Sequence, residues 1–95
     1  IKLRSLKGYA EREIYEFRKP HIIFGRSEVD LPLNDRDVSR RHAVIESLSP
    51  RIVFIRDLNS TNGTYVNDQR IKTQKLKTGD KIQVGNTQFE FHIEG

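Results

Sequence analysis

Two polar segments of the chain, residues 25–42 and 57–64, contain side chains that could bind an anion. The first segment holds Arg26 and Ser39, and the second holds Thr61. Brought together, these side chains would offer a planar guanidinium fork and two hydroxyl donors, with loop N–H groups nearby. A phosphate group accepts hydrogen bonds from all of these donors. The residue types therefore predict a phosphate-binding site that needs no metal ion or other cofactor.

Each of these residues also has an ordinary structural interpretation. Arg26 could pair with a surface acid, and Ser39 could cap a helix or occupy a turn. Asn62-Gly63 is typical of a type I′ hairpin turn, a role that is compatible with presenting Thr61 at a site. No single one of these residues indicates a phosphate site, so the prediction depends on their combination.

Metal-binding and catalytic motifs fit the sequence less well. A calcium loop starting at Asp57 would have its glycine at position seven instead of six, and Asp68 instead of glutamate at position twelve. The three histidines are far apart and lack the spacing of metal ligands. Ser39 and His42 are near neighbours, but no Gly-x-Ser-x-Gly turn accompanies them. We therefore predict no metal site and no enzyme activity.

Length and composition describe one small domain. The chain has 95 residues and no cysteine, which excludes disulfides and thiolate chemistry and fits a reducing compartment. No apolar run approaches the roughly 18 residues of a membrane helix, and the start does not resemble a signal peptide. We expect residues 1–95 to form a single domain that is a fragment of a longer cytoplasmic protein, without membrane insertion. Nothing in the sequence indicates an oligomeric state.

The positive charge is concentrated outside the polar segments. The net charge is +4, and residues 70–81 alone carry five Lys or Arg and one Asp. A nucleic-acid-binding surface is expected to combine a basic stripe with aromatic side chains, and this block contains no aromatic residue. The charge pattern therefore argues against a nucleic-acid partner and favours solvated turns and strand edges.

The C-terminal region shows the clearest strand pattern. Thr87–Glu94 alternates polar and apolar residues throughout, which is typical of a strand with one buried face. Ile82 and Val84 alternate in the same way, and Gly85-Asn86 between the two runs indicates a tight hairpin turn. This region is predicted to be a β-hairpin.

Further strands are predicted upstream. Arg51–Asp57 encloses a run of β-branched and aromatic residues and is predicted to be buried on both faces. His21–Phe24 follows a proline and is also predicted to be extended. Weaker candidates lie at Ile1 to Leu3 and Ile14 to Phe17. Short strands with frequent turn residues are typical of a sandwich or small barrel.

The segment from Ser39 to Leu48 is ambiguous. Ser39 could begin a short helix, but His42 occupies the position of the Glu or Gln of a capping box. Val44 and Ile45 favour a strand. We favour a loop through Arg41 followed by a strand.

Four motifs in this order resemble the forkhead-associated (FHA) domain. They are Gly25-Arg26, Ser39-Arg40-Arg41-His42, Asn59-Ser60-Thr61-Asn62-Gly63-Thr64 and Gly79-Asp80. The family pattern is Gly-Arg, then Ser-x-x-His, then Asn-Gly, then Gly-Asp, and the resemblance extends from about His21 to Ile93. It implies an all-β fold, an antiparallel β-sandwich of the SMAD/FHA type with binding loops at one end.

The resemblance also implies which residues contact a phosphothreonine peptide. Arg26 and Ser39 would bind the phosphate through the guanidinium and the hydroxyl, and Thr61 would supply the second hydroxyl. Asn62 would bond the peptide backbone beside the phosphothreonine. Arg40 would contact the phosphate or the peptide backbone.

Three further residues would support the binding loops without contacting the ligand. They are Gly25, His42 and Gly63. His42 resembles the family's supporting histidine, and the two glycines would serve backbone geometry.

The resemblance thus implies a phosphothreonine-dependent peptide-binding module that acts in Ser/Thr kinase signalling. The alternative is a sandwich domain that binds protein partners through its sheets without phosphate. A degenerate domain of that kind is expected to have lost Arg26, Ser39 or Asn62, and all three are present.

Overall fold

The computed structural model describes residues 1–93, in which eleven strands and no helix occur. In chain order the strands are β1 (Lys2–Lys7), β2 (Ile14–Glu16), β3 (His21–Gly25), β4 (Leu31–Pro32), β5 (Ala43–Ser49), β6 (Ile52–Asp57), β7 (Thr64–Val66), β8 (Gln69–Ile71), β9 (Thr73–Leu76), β10 (Lys81–Val84) and β11 (Thr87–His92). None of residues 1–93 belongs to a helix that could cross a membrane.

The strands form two sheets. One has six strands in the order β2-β1-β11-β10-β7-β8, and the other has five in the order β4-β3-β5-β6-β9. Neighbouring strands pair antiparallel, except β3 and β4, whose short pairing is parallel. Each sheet contributes one apolar face to the core, so the predicted all-β sandwich is confirmed.

The core is built from inward-facing residues of both sheets. In β11 the buried side chains are Thr87, Phe89 and Phe91, with half-buried residues between them, as the sequence alternation predicts. Phe89 meets Phe24 of the opposite sheet edge to face, with ring centroids 5.6 Å apart. Such a pair stabilises the fold by about 0.5–1.5 kcal/mol beyond the area it buries.

The C-terminal hairpin and the loop-then-strand prediction are both confirmed. Val84 pairs with Thr87, so Gly85-Asn86 forms a two-residue turn, and Gly85 has the positive φ of 58° that such turns need. Glu94, the last residue of the predicted strand, lies outside the described residues. The ambiguous segment is a loop through His42 and a strand from Ala43.

The prediction that residues 51–57 are buried on both faces was wrong. Val53 and Ile55 point into the core, whereas Ile52 is 40% exposed and Phe54 is half-buried on the outer face. A two-layer sandwich covers only one face of each sheet, so an apolar outer residue is left partly in water. The run of apolar residues does not reveal which of them face outward.

The prediction of a type I′ hairpin turn at Asn62-Gly63 was also wrong. The flanking strands β6 and β7 belong to different sheets, so this segment crosses the sandwich edge instead of closing a hairpin. A type I′ turn needs positive φ at both central residues, and of this pair only Gly63 has it, at 88°. That requirement is met instead at Asn67-Asp68, between β7 and β8, where φ is 50° and 69°.

Candidate phosphopeptide-binding site

The register of the five-stranded sheet brings three loops to one end of the sandwich. Phe24 lies opposite Ala43, which lies opposite Asp57. The end of β3, the start of β5 and the end of β6 are therefore side by side. The loops after β3, before β5 and after β6 all meet at this edge, which we call the loop end.

Ser39 and Thr61 meet across two of these loops. The Thr61 backbone N–H donates to the Ser39 Oγ at 3.1 Å. Because this hydroxyl oxygen accepts that bond, its own proton remains available to a ligand. Thr61 is exposed and Ser39 is half-buried, so both hydroxyls can be reached from solvent.

Two arginines extend from the same loops. The Arg26 backbone N–H donates to the Ser39 carbonyl oxygen at 3.2 Å, and the Ser27 hydroxyl donates to the Arg40 carbonyl oxygen at the same distance. Arg26 and Arg40 are exposed, and neither forms an ion pair with any residue in the range 1–93. The structure thus places Arg26, Ser39 and Thr61 at the same end, with the guanidinium charge unneutralised.

Asn62 lies beside these groups and is held by an adjacent loop. Its Nδ2 donates to the Asp37 carbonyl oxygen at 2.9 Å. The side chain is exposed, and its Oδ1 is oriented by this bond without being used in it. An amide oxygen fixed in this way can accept an N–H from an extended peptide.

His42 is buried and joins two of the loops. Its Nδ1 is 3.0 Å from the Ser39 backbone nitrogen, and its Nε2 is 2.8 Å from the Gly63 carbonyl oxygen. A backbone N–H can only donate and a carbonyl can only accept, so Nδ1 accepts and Nε2 carries the proton. The neutral imidazole therefore links the loop of Ser39 to the loop of Thr61.

Gly25 and Gly63 allow other groups to lie close to their own backbone, because neither has a side chain. A Cβ on Gly25 would overlap the Arg40 carbonyl oxygen and lie 2.7 Å from the Arg40 carbonyl carbon. A Cβ on Gly63 would lie 2.5 Å from the Nε of Arg70. Gly63 also has positive φ, which side-chain-bearing residues rarely adopt.

Asp57 organises the loop that carries Thr61, a role that the sequence analysis missed. Its carboxylate accepts hydrogen bonds from the Ser60 hydroxyl at 2.5 Å, the Ser60 N–H at 3.1 Å and the Thr64 hydroxyl at 2.7 Å. Burial raises the pKa of Asp57, but these hydrogen bonds outweigh it and hold the pKa below its ordinary value. The Asp-x-x-Ser spacing, typical of a side chain that caps a turn, was the available sequence signal.

Asp35 fastens the loop before β5 to the β10–β11 hairpin. The buried carboxylate accepts hydrogen bonds from the Asp37 N–H, from the Asn86 N–H and side-chain amide, and from the Thr87 hydroxyl. Burial raises the pKa of Asp35, and the hydrogen bonds lower it further than burial raises it. Asn86 and Thr87 are 51 and 52 residues away in the chain, so no local sequence pattern could reveal this role.

The lowered pKa values of Asp35 and Asp57 predict how the stability of the fold changes as pH falls. Their folded-state pKa lies below the ordinary value of 3.8, so the folded protein binds fewer protons than the unfolded chain near pH 4. Their contribution to stability is present above that pH and is lost as pH falls through the folded pKa. Asp57→Asn is expected to lower the free energy of unfolding at pH 7 by about 1–3 kcal/mol and to flatten its decline between pH 4 and pH 2.

Denaturant unfolding at several pH values, followed by circular dichroism, measures both effects. A decline between pH 4 and pH 2 that is equally steep in the Asp57→Asn variant and the wild type would contradict the role assigned to Asp57.

One concave surface of the molecule is distant from the loop end. It is a groove of about 590 Å³ lined by Ile1, Phe17, Pro20, Pro50, His92 and other residues near the opposite ends of the strands. The candidate site is instead an exposed surface of polar loop residues. That shape suits an extended peptide bound at one charged group, not an enclosed small molecule.

Comparison with known proteins adds independent support. An FHA domain family model matches residues 22–85. The Oxoglutarate dehydrogenase inhibitor of Corynebacterium efficiens is 42% identical over 74 residues, which cover 77% of this chain and 51% of that protein. The chain thus spans about half the length of this relative.

Solved structures give the same result. An FHA domain from a study of phosphothreonine-dependent FHA domain interactions superposes with a TM-score of 0.88 and 32% identity, covering 99% of this chain and 96% of that one. Mycobacterium tuberculosis EmbR, solved in complex with a low-affinity phosphopeptide, superposes with a TM-score of 0.87 and 31% identity, covering 99% of this chain and 24% of that one.

The matched region of residues 22–85 contains all eight residues that the sequence predicts at the site, and the superposed structures extend the likeness to nearly the whole chain. The chain belongs to the FHA domain family.

Proposed function

We propose that this FHA domain binds phosphothreonine peptides at the loop end and acts in Ser/Thr kinase signalling. In this proposal Arg26, Ser39 and Thr61 bind the phosphate, and Asn62 bonds the peptide backbone. Arg40 contacts the phosphate or the peptide backbone. The observation that carries the proposal is the 3.1 Å hydrogen bond from Thr61 N–H to Ser39 Oγ, which joins two loops at the end that also carries Arg26. Within residues 1–93 Arg26 forms no ion pair.

The chemistry of the ligand matches these donors. A phosphothreonine carries about −1.5 to −2 charges near neutral pH and three acceptor oxygens. Three charge-assisted contacts of about 1.5–3 kcal/mol each supply about 4.5–9 kcal/mol before the cost of ordering the peptide, which limits their affinity to about the micromolar range. Affinity in that range suits a reversible reader of kinase activity.

His42, Gly25 and Gly63 act indirectly in this proposal. His42 bonds both the Ser39 backbone and the Gly63 carbonyl, so it fixes the spacing between the two hydroxyl-bearing loops. Gly25 lets the Arg40 backbone approach the end of β3, and Gly63 supplies the positive φ that the loop needs after Asn62. Preorganised donors bind more tightly because less order is lost when the ligand arrives.

The domain is proposed to be a non-catalytic part of a longer protein. FHA domains are phosphopeptide-binding modules, and we infer that this chain has no catalytic role of its own. We further infer that residues 1–95 are one binding module of a longer cytoplasmic polypeptide. The greater length is supported by the relatives, since the matched regions form about half of the corynebacterial inhibitor and about a quarter of EmbR.

A degenerate library of phosphothreonine peptides, compared with the same library carrying unmodified threonine, tests the proposal. Calorimetry or fluorescence polarisation should give micromolar dissociation constants for phosphopeptides selected from the library and no measurable binding of their unmodified counterparts. Equal binding of the two forms would favour the alternative, a sandwich domain that binds partners without phosphate.

A further inference from the structure

Arg70 is an arginine at the loop end to which the proposed phosphate site gives no role. It lies on β8, opposite Tyr65 of β7. A Cβ built on Gly63 would be 2.5 Å from its Nε and 2.9 Å from its Cζ, so the guanidinium rests directly on the Gly63 backbone. The inner side of that backbone is bonded to His42 and Ser60. Arg70 therefore covers the solvent side of the loop that carries Thr61.

The guanidinium of Arg70 has no acidic partner among residues 1–93. It takes part in none of the six ion pairs found within residues 1–93. The residue is exposed, so its charge faces water. An arginine whose Nε and Cζ lie against backbone has lost part of its rotamer freedom before any ligand arrives. Its exposed guanidinium can form a bidentate pair with a carboxylate or phosphate.

Arg70 is close enough to contact a peptide bound at Thr61. Thr61 and Gly63 are two residues apart, so their Cα atoms are separated by at most about 7 Å. Adding the short distance from Gly63 to the guanidinium places Arg70 Cζ within about 12 Å of the Thr61 Cα. An extended peptide advances about 3.3 Å per residue. A group within about four residues of the phosphothreonine could therefore reach Arg70.

We propose that Arg70 recognises a second anionic group on the peptide, a carboxylate or a further phosphate within about four residues of the phosphothreonine. This inference rests on the proposed function, because it assumes that the phosphothreonine is bound beside Thr61. Arg70 would influence which residues are preferred beside the phosphothreonine in the peptide, while Arg26, Ser39 and Thr61 contact the phosphate.

The test uses one phosphothreonine peptide with neutral flanks and two sets of derivatives. In one set a single glutamate is moved through the four positions on either side, and in the other a phosphoserine replaces the glutamate. Each peptide is titrated into the wild type, Arg70→Gln and Arg51→Gln. Arg51 is an exposed arginine in the turn between β5 and β6, at the opposite end of the strands, so its variant controls for the loss of one positive charge.

We expect the wild type and Arg51→Gln to bind at least one derivative roughly three- to tenfold more tightly than the neutral peptide. Arg70→Gln should lose that gain while its affinity for the neutral phosphopeptide stays within about twofold of the wild type. The set that shows the gain identifies the group as carboxylate or phosphate.

Three results would overturn the inference. They are a gain that persists in Arg70→Gln, the absence of any gain in the wild type, and an equal loss for all peptides, which would make Arg70 a purely structural residue. Failure of the proposed function itself is recognised separately, because the neutral phosphopeptide would then bind no better than its unmodified form.

Discussion

Phosphopeptide affinity is expected to fall roughly 10- to 100-fold when Arg26 is replaced by alanine. Arg26 is exposed and forms no ion pair within the described range. It directly follows Gly25, the last residue of β3. Its guanidinium is therefore free to give the phosphate two parallel charge-assisted hydrogen bonds. Removing the guanidinium deletes those hydrogen bonds and the positive charge that balances the negative charge of the phosphate.

The loss should appear in binding and not in folding. The Arg26 backbone N–H still donates to the Ser39 carbonyl after the substitution, because that bond does not involve the side chain. We expect the free energy of unfolding to change by less than about 0.5 kcal/mol, as is usual for an exposed position. Arg26→Lys should recover part of the affinity, since it restores the charge without the fork.

Arg51→Ala is the matched control, since it removes an exposed arginine from the opposite end of the molecule. Its phosphopeptide affinity should stay within about twofold of the wild type. Calorimetric titration of the three variants with one phosphothreonine peptide measures all of these effects. Unchanged affinity in Arg26→Ala would remove Arg26 from the site.

The strands with regular alternation could be predicted from the sequence because their pattern is local. Thr87 to Phe91 alternates between core and solvent, and the two-residue Gly85-Asn86 turn fixes its pairing with β10. The very short strands have no such pattern, since two to four residues cannot show a period. The sequence predicts that Ile52 and Phe54 are buried, because residue types do not reveal that one face of their sheet is left uncovered.

In the candidate site, too, only some of the residues could be predicted from the sequence. The residues expected to touch the ligand could be singled out because their types and order match the motifs of the FHA family. Asp35, which holds the loop before β5, acts instead through contacts between distant parts of the chain. Asp35 is bonded to Asn86, and the Arg70 side chain lies on Gly63, and neither pairing leaves a mark on the local sequence.

Replacing Gly25 by alanine is expected to disturb stability and binding together. Gly25 has no positive φ, so alanine is not excluded there by its backbone conformation. The obstacle is the Arg40 backbone, since the new methyl group would overlap the Arg40 carbonyl oxygen and lie 3.2 Å from the Arg41 Cα. The segment from Ser39 to Arg41 must therefore move away from β3.

Such overpacking against backbone costs about 1–3 kcal/mol, and we expect the free energy of unfolding to fall by that amount. The same displacement stretches the Arg26 N–H to Ser39 carbonyl bond, now 3.2 Å, and moves the Ser39 hydroxyl away from Thr61. Phosphopeptide affinity should therefore fall at least about tenfold even under conditions where the variant is fully folded. Thermal unfolding and calorimetric titration of the same preparation separate the two losses.

Gly79→Ala provides the contrasting control. Gly79 lies before β10 at the end opposite the binding loops, and its φ of 96° makes alanine strained although no atom lies within 4 Å of the added Cβ. The strain is expected to cost about 1–3 kcal/mol, comparable to the cost at Gly25, while leaving phosphopeptide affinity unchanged. If Gly25→Ala also kept full affinity while losing stability, the packing of the Arg40 backbone on Gly25 would matter for folding alone, and the geometry of the Ser39 loop would not depend on it.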